Sequence, residues 1–198
     1  MLTLYGAPQS NADRSAWLLY EANVAFDYQK LDLRSAEGRA AFAKINPALK
    51  MPYLVDGDVQ IGESIAINFY IAEKYAPTLW GDTPEQRAQI YYWSLFAITN
   101  LLKDVLEVLG HTRVLAEELR SPKLAERSKD LAIRYLAVIE EALKDEYLLG
   151  SRFTVADVNV GSVVHLADRI KITTLGPRTS AWLARLRARP AYQKAYGA

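Results

Sequence analysis

Strand-like and helix-like spacings of hydrophobic residues alternate over the first 76 residues. Short apolar or alternating runs predict strands, and apolar positions three and four residues apart predict helices. The predicted strands cover 2–5, 26–33, 53–55 and 59–61, and the predicted helices cover 12–22, 37–45 and 64–75. The first β-α-β unit implies a parallel pair, and the turn at Asp56 and Gly57 implies an antiparallel hairpin. We therefore expect a small mixed sheet.

After Pro77 the pattern changes to helices only. The predicted helices cover 85–110, 122–147, 154–168 and 177–188, and a short one follows Pro190. The fold class predicted from the sequence is α+β with two domains. Residues 1–76 form a βαβαββα domain with a mixed four-stranded sheet, residues 77–84 form a linker, and residues 85–198 form an all-helical domain.

The segment 154–164 is rich in valine and looks like a strand by composition. Its start nevertheless indicates a helix, because Thr154 and Asp157 have the spacing of a capping box. Phe153 and Val158 fall where a hydrophobic staple would close. Since nearly every face is apolar, we expect a buried core helix.

Composition and charge exclude several classes of protein. The 198 residues have a net charge of +1, which does not favour a nucleic acid or a membrane surface as partner. The absence of cysteine excludes disulfides and a cysteine nucleophile, and the two histidines, His111 and His165, are too isolated to suggest a metal site. With no signal-peptide pattern and no 18-residue apolar run, we expect a cytoplasmic protein.

Pro52 stands at the front of a predicted strand, where its missing N–H would interrupt pairing. One interpretation is a proline at the entry of the strand, and sequence rules alone favour it. The other is a cis Met51–Pro52 bond, which would turn the N–H and C=O of Met51 outward to pair with an extended peptide. The sequence alone leaves both open.

Two predicted helix starts carry polar residues that suit an anionic ligand. Glu63 and Ser64 open the third helix, whose unpaired N–H groups favour a carboxylate, while Glu63 would hold an adjacent ammonium. Ser10 and Asn11 open the first helix, and a hydroxyl there can stabilise a thiolate. Each pair also fits a plain helix cap, and for Ser10 and Asn11 taken alone the cap is the favoured interpretation.

The order and spacing of these features resemble the cytosolic-type glutathione transferases over nearly the whole chain. The resemblance is carried by L-Y-G, S-N and R within 4–14, NPALKMPYL (46–54), GESIAI (62–67), FTVAD (153–157) and RPAY (189–192). It implies a thioredoxin-like first domain and an all-helical second one. It also implies a homodimer, with glutathione as co-substrate and no permanently bound cofactor.

The resemblance implies roles for the residues of the first domain. A cis Met51–Pro52 bond would present the Met51 backbone to the cysteinyl part of glutathione, and Glu63 and Ser64 would bind its γ-glutamyl end. Lys50 and Arg34 would reach the glycyl carboxylate, although both also fit as ordinary surface cations.

The thiolate-stabilising residue has two candidates. Ser10, beside Asn11, matches the position used by the serine-type classes. Tyr5 is the alternative, at the end of the first strand, where it is equally expected to pack. Arg14 either positions the first helix by pairing with an acidic neighbour or is a solvated helix residue.

The helical domain is expected to hold the hydrophobic electrophile, with Tyr92, Trp93 and Phe96 as pocket candidates. Asn100 and Asp104 would reach the partner subunit, or else lie on a solvated helix face. The predicted activity is detoxifying glutathione S-transfer. The alternatives are glutathione-dependent reduction of peroxides or disulfides on the same site, and a non-catalytic interaction or stress-response protein.

Overall fold

Four short strands form one mixed sheet. The strands are β1 (Thr3–Gly6), β2 (Asp27–Lys30), β3 (Tyr53–Asp56) and β4 (Val59–Gly62). Their order is β2-β1-β3-β4, with β1 parallel to β2 and antiparallel to β3, and β3 antiparallel to β4. This is the mixed, thioredoxin-like βαβαββα arrangement that the sequence predicted. The computed structural model describes residues 2–197.

Nine α-helices occur within residues 2–197. They are α1 (Ala12–Glu21), α2 (Ala36–Ala43), α3 (Ser64–Tyr75), α4 (Pro84–Phe96), α5 (Lys103–Leu109), α6 (Pro122–Ala142), α7 (Val155–Arg169), α8 (Pro177–Arg187) and α9 (Pro190–Tyr196). The segments Ala97–Leu102 and Gly110–Val114 are wider π-helical turns that continue α4 and α5. None of the described helices is both long and apolar enough to cross a bilayer.

The chain divides into two compact units, of which the first contains the sheet. Alternate residues of the central strands point into its core, where Leu4 and Leu54 are fully buried. Helices α1 and α3 pack together in this unit, and Trp17 and Ile67 are also fully buried. The start of α1 and the start of α3 are thereby held on one rigid framework.

The last helix packs with the first unit, whereas the sequence pattern predicts residues 85–198 as one helical domain. The division runs through the end of α8, so that the second unit is Gly81–Arg187 and the chain from Ala188 onward belongs to the first. The reason is aromatic packing on α1, because the ring of Trp17 lies 5.1 Å from Tyr192 and 6.4 Å from Tyr196. Contacts between segments so far apart in the chain cannot be predicted from the local spacing of hydrophobic residues.

The helical unit contains the valine-rich segment as helix α7, as predicted. The backbone N–H and the hydroxyl of Thr154 both donate to Oδ2 of Asp157, at 2.9 and 3.1 Å. The prediction that α6 reaches residue 147 is wrong, since it ends at Ala142. The chain turns there because the Leu148 N–H donates to Oδ1 of Asp157, at 3.0 Å.

Candidate functional site

The register of the sheet brings the predicted site segments to one end of it. Tyr5 of β1 is paired with Tyr53 of β3, and Tyr53 is paired with Gly62 of β4. Strands β1 and β4 therefore end where β3 begins. The segments that adjoin this end are 7–11 after β1, 50–52 before β3 and 63–64 after β4.

Ser10 lies in the turn that leads into α1, and its hydroxyl is engaged locally. The oxygen accepts from the Ala12 N–H at 3.1 Å, and the hydroxyl donates to the carbonyl of Ala7 at 2.6 Å. Ser10 is thus a backbone cap in this structure. Its proton has to turn away from the Ala7 carbonyl before it can be donated to a ligand.

Asn11 is the N-cap residue of α1, but its side chain does not cap the helix. Its Oδ1 accepts from Nη2 of Arg14 at 2.9 Å. Because a guanidinium has only donors, this contact fixes the amide with the oxygen toward Arg14 and the NH₂ on the other side.

Met51 and Pro52 adopt the cis peptide bond that the resemblance implied. Pro52 is buried and Met51 is half-buried. Outside the helices and strands, the backbone hydrogen bonds of the described residues involve neither the N–H nor the C=O of Met51. The buried Asn46 braces the loop, because its amide donates to the Lys50 carbonyl at 2.9 Å and its Oδ1 accepts from the Ala48 N–H at 3.2 Å.

Glu63 and Ser64 form the junction between β4 and α3. Glu63 is exposed and lies outside the ordinary backbone regions, at φ 59° and ψ 108°, whereas Ser64 is buried as the first residue of the helix. The Ser64 oxygen accepts from Nη1 of Arg14 at 3.3 Å. The first turn of α3 thus offers a hydroxyl and helix-end N–H groups beside an exposed carboxylate.

Backbone conformations with a positive φ occur in, or directly beside, the same three segments. Among the described residues, five non-glycine residues have a positive φ, and Gln9, Leu49 and Glu63 are three of them. Such conformations cost about 1 to 3 kcal/mol each and concentrate at functional sites. The sequence does not indicate this feature, because glutamine, leucine and glutamate do not signal a left-handed conformation as glycine or asparagine would.

Arg14 is buried, which corrects the interpretation of a solvated helix residue. Only 3% of its surface is exposed, and its hydrogen-bond partners are Asn11 and Ser64 rather than an acidic neighbour. Burial lowers the pKa of Arg14 to about 10, while Tyr196 and Asp13 act in the opposite direction. The guanidinium therefore stays charged at neutral pH.

The remaining candidates of the first unit lie near the same end of the sheet. The ring of Tyr5 lies 5.9 Å from that of Phe42 in α2, so Tyr5 packs against that helix, and the strand ends one residue later, at Gly6. Lys50 and Arg34 are both exposed. Arg34 follows β2, whose last residue is paired with Gly6 of β1.

The candidates in the helical unit differ in exposure. Trp93 is buried, Tyr92 is 51% exposed, and the ring of Phe96 lies 6.1 Å from Tyr92 in a stacked arrangement. Asp104 is buried rather than on a solvated face, and the Asn100 amide donates to the hydroxyl of Thr99 at 3.2 Å.

Neither histidine belongs to a metal-binding cluster among residues 2–197. His111 accepts from the Ser121 N–H at 3.2 Å. The Nδ1 atom of His165 lies 3.1 Å from Nη2 of Arg187. Burial, followed by the charge of Arg187, lowers the pKa of His165 to about 4, so this ring is neutral at physiological pH.

Two family models match the chain. Residues 1–73 match the model described as "Glutathione S-transferase, N-terminal domain", and residues 122–185 match "Glutathione S-transferase, C-terminal domain". Among characterised proteins, glutathione S-transferase 3 of Zea mays is 33% identical over 210 residues, covering 100% of this chain and 94% of its own length. A theta-1 glutathione S-transferase of Rattus norvegicus is 30% identical, over 84% of this chain and 73% of its own.

Solved structures show the same similarity. A theta class glutathione S-transferase from Xanthomonas axonopodis pv. citri, with glutathione bound, has a TM-score of 0.84 and 29% identity, covering 100% of this chain and 97% of that one. Ure2p, a yeast prion protein, in complex with glutathione has a TM-score of 0.90 and 25% identity, covering 100% of this chain and 93% of that one.

Proposed function

Because the chain belongs to the glutathione transferase family, we propose that it binds glutathione and transfers it, as the thiolate, to a hydrophobic electrophile. The observation that carries the proposal is the convergence of the segments 7–11, 50–52 and 63–64 at one end of the sheet. These segments supply a hydroxyl, backbone groups and a helix start, which are what an extended tripeptide with a charged end requires.

In the proposed complex, glutathione lies along this end of the sheet. The N–H and C=O of Met51 pair with the cysteinyl residue, as an added strand would pair. Ser64 and the first N–H groups of α3 bind the γ-glutamyl carboxylate, and Glu63 binds its ammonium. The exposed side chains of Lys50 and Arg34 bind the glycyl carboxylate.

Ser10 is the proposed thiolate-stabilising residue. Its hydroxyl leaves the Ala7 carbonyl and donates to the sulfur, which lowers the thiol pKa from its usual value of about 8.5. The thiol proton passes to water, the sulfur forms a bond with the electrophilic carbon, and the leaving group departs with its electron pair. Tyr5 is the less favoured alternative, since its ring packs on Phe42.

The helical unit is proposed to supply the electrophile contacts through Tyr92, Trp93 and Phe96. We also propose the homodimer that the family resemblance implies. Contacts of Asn100 and Asp104 with a partner subunit, and a cytoplasmic location, belong to the same proposal.

Reduction of peroxides or disulfides by the bound thiolate is an alternative reaction at the same site and would use the same residues. A regulatory module without transfer activity is the second candidate function. It is favoured by the similarity to Ure2p, one of whose structures is described as a nitrogen regulation fragment.

Calorimetric titration with glutathione, followed by conjugation and peroxide-reduction assays, tests these proposals. We expect binding below millimolar concentrations, a turnover reduced by at least tenfold in Ser10→Ala, and a much smaller change in Tyr5→Phe. If neither substitution lowers turnover, the thiolate assignment is wrong. Binding without either activity would favour the regulatory module, and no binding at millimolar glutathione would contradict the site itself.

A further inference from the structure

Arg14 connects two segments of the proposed site that are far apart in the chain. It belongs to α1, yet its Nη1 atom reaches Ser64 at the start of α3, 50 residues away, at 3.3 Å. Its Nη2 atom holds Asn11 at 2.9 Å. The contact with Ser64 is buried and the contact with Asn11 is partly buried, so both are less exposed to water than surface contacts of the same length.

A guanidinium offers donors and no acceptor, so every atom that faces it must accept. The oxygen of the Asn11 amide is used in this way, which leaves its NH₂ group for another partner. The Ser64 oxygen is also used as an acceptor, which leaves its hydroxyl proton for another partner. The contacts with Arg14 therefore leave the NH₂ group of Asn11 and the hydroxyl proton of Ser64 as donors for a ligand.

We infer that Arg14 is a positioning residue that presents the Asn11 amide and the Ser64 hydroxyl as hydrogen-bond donors to the anionic groups of glutathione. The inference rests on the proposed function, in which the thiolate lies near α1 and the γ-glutamyl carboxylate near α3. Donors aimed in advance at a negative group need no reorganisation when the ligand binds. Through Asn11 and Ser64, Arg14 thus favours a negatively charged group at the thiolate position and at the γ-glutamyl carboxylate position.

The incomplete pairing of Arg14 fits this role better than a purely structural one. Its Nε atom is buried and has no hydrogen-bond partner among the described residues. A buried charge that only stabilised the fold would be expected to have its donors saturated, because an unpaired one is costly. The groups that raise its pKa are Tyr196 of α9 and Asp13 of α1.

The experiment compares Arg14→Met, Arg14→Lys and Asn11→Asp with the wild type and with Arg134→Met. The last is a control, because Arg134 is exposed on α6. Arg14→Lys keeps the charge but not the two-pronged geometry. Asn11→Asp keeps an oxygen for Arg14 and removes the NH₂ donor. The measurements are the KM for glutathione, kcat, the pKa of the bound thiol from thiolate absorbance, and the midpoint of thermal unfolding.

We expect Arg14→Met to raise the KM about tenfold and the thiol pKa by about one unit, with Arg14→Lys intermediate. Asn11→Asp should raise the thiol pKa without lowering the unfolding midpoint. A purely structural role for the contact between Arg14 and Asn11 would not predict a change in the thiol pKa. The control should match the wild type in every measurement.

An unchanged KM and thiol pKa in folded Arg14→Met would overturn the inference, while glutathione transfer by the same protein would leave the proposed function standing. If Arg14→Met does not fold, an unchanged thiol pKa in Asn11→Asp overturns it instead. Failure of the wild type to bind glutathione in the same titration would refute the proposed function, and this inference with it.

Discussion

One carboxylate oxygen of Asp56, at the end of β3, accepts hydrogen bonds from three side chains of α3. Its Oδ2 accepts from the hydroxyls of Tyr70 and Tyr75, at 2.6 and 2.5 Å, and from the ammonium of Lys74, at 2.7 Å. The Lys74 contact, followed by the two tyrosines, lowers the pKa of Asp56 to about 2. The carboxylate thereby fastens the hairpin to the helix whose first residue lies in the proposed site.

Substituting Asp56 should therefore change how stability depends on pH. The folded pKa of Asp56 lies below its unfolded value of about 4, so its contribution is present above pH 4 and is lost as the pH falls toward 2. We expect Asp56→Asn to lower the free energy of unfolding at pH 7 by about 1 kcal/mol, allowing for screening by solvent. The loss should shrink as the pH approaches 2.

Urea unfolding at several pH values measures this effect. Asp58→Asn is the matched control, since Asp58 is exposed in the same hairpin turn. A loss for Asp56→Asn that does not depend on pH would show that the carboxylate charge is not what holds the hairpin to α3.

At the scale of single residues, the sequence predicted where a residue lies along a helix or strand better than which side chains it contacts. Helix-start rules placed Ser10, Asn11 and Ser64 correctly at the openings of α1 and α3. They could not show that Asn11 and Ser64 share Arg14, because a bond between residues 50 positions apart depends on the tertiary fold. Nor could they show that Ser10 donates to the Ala7 carbonyl, since a hydroxyl rotates to the nearest acceptor.

Asp157 connects the start of α7, the segment that precedes it and α8 by hydrogen bonds. Its Oδ2 accepts the N–H and hydroxyl of Thr154 at the start of α7, and its Oδ1 accepts the Leu148 N–H and Nε1 of Trp182 in α8, both at 3.0 Å. Burial raises the pKa of this carboxyl, whereas the four donors act in the opposite sense. All four partners donate, which is an arrangement that suits a carboxylate with two acceptor oxygens.

Replacing this carboxylate should destabilise the helical unit strongly. In Asp157→Asn one oxygen becomes an NH₂ group, which faces two donors it cannot accept from. We expect a loss of about 2 to 4 kcal/mol in the free energy of unfolding, measured with urea. Trp182→Phe removes a single donor and serves as the comparison, with an expected loss of about 1 to 2 kcal/mol. Equal losses would mean that packing of the Trp182 ring, and not the hydrogen bonds, dominates.

At the scale of elements, local signals gave the starts of helices more accurately than their ends. The capping box predicted α7 in spite of its valines, because cap residues lie next to the turn that they stabilise. The end of α6 was missed, since Leu148 turns back to a carboxylate in the next helix. The π-helical turns at Ala97–Leu102 and Gly110–Val114 have no amino-acid composition of their own, so the sequence predicts ordinary α-helix there.

At the scale of the whole chain, the last helix returns to the first unit and covers α1. Arg189 forms two hydrogen bonds with the carboxylate of Glu21, at 2.6 and 2.8 Å, and Nε1 of Trp17 donates to the same carboxylate at 2.8 Å. Tyr192 is 2% exposed and packs edge-on against Trp17. The periodic pattern predicted a helix after Pro190 but not its partner, because amphipathicity shows which face is buried and not against what.

Tyr192→Ala should consequently weaken the first unit in particular. Truncating a buried aromatic side chain costs about 3 to 5 kcal/mol, and here it removes the ring that covers Trp17. Hydrogen exchange resolved along the chain measures where that loss falls, with Gln193→Ala as an exposed control on the same helix. We expect faster exchange of the α1 amides and little change in α7. Equal acceleration in α7 would contradict the assignment of α9 to the first unit, because the loss would then be shared by the whole chain.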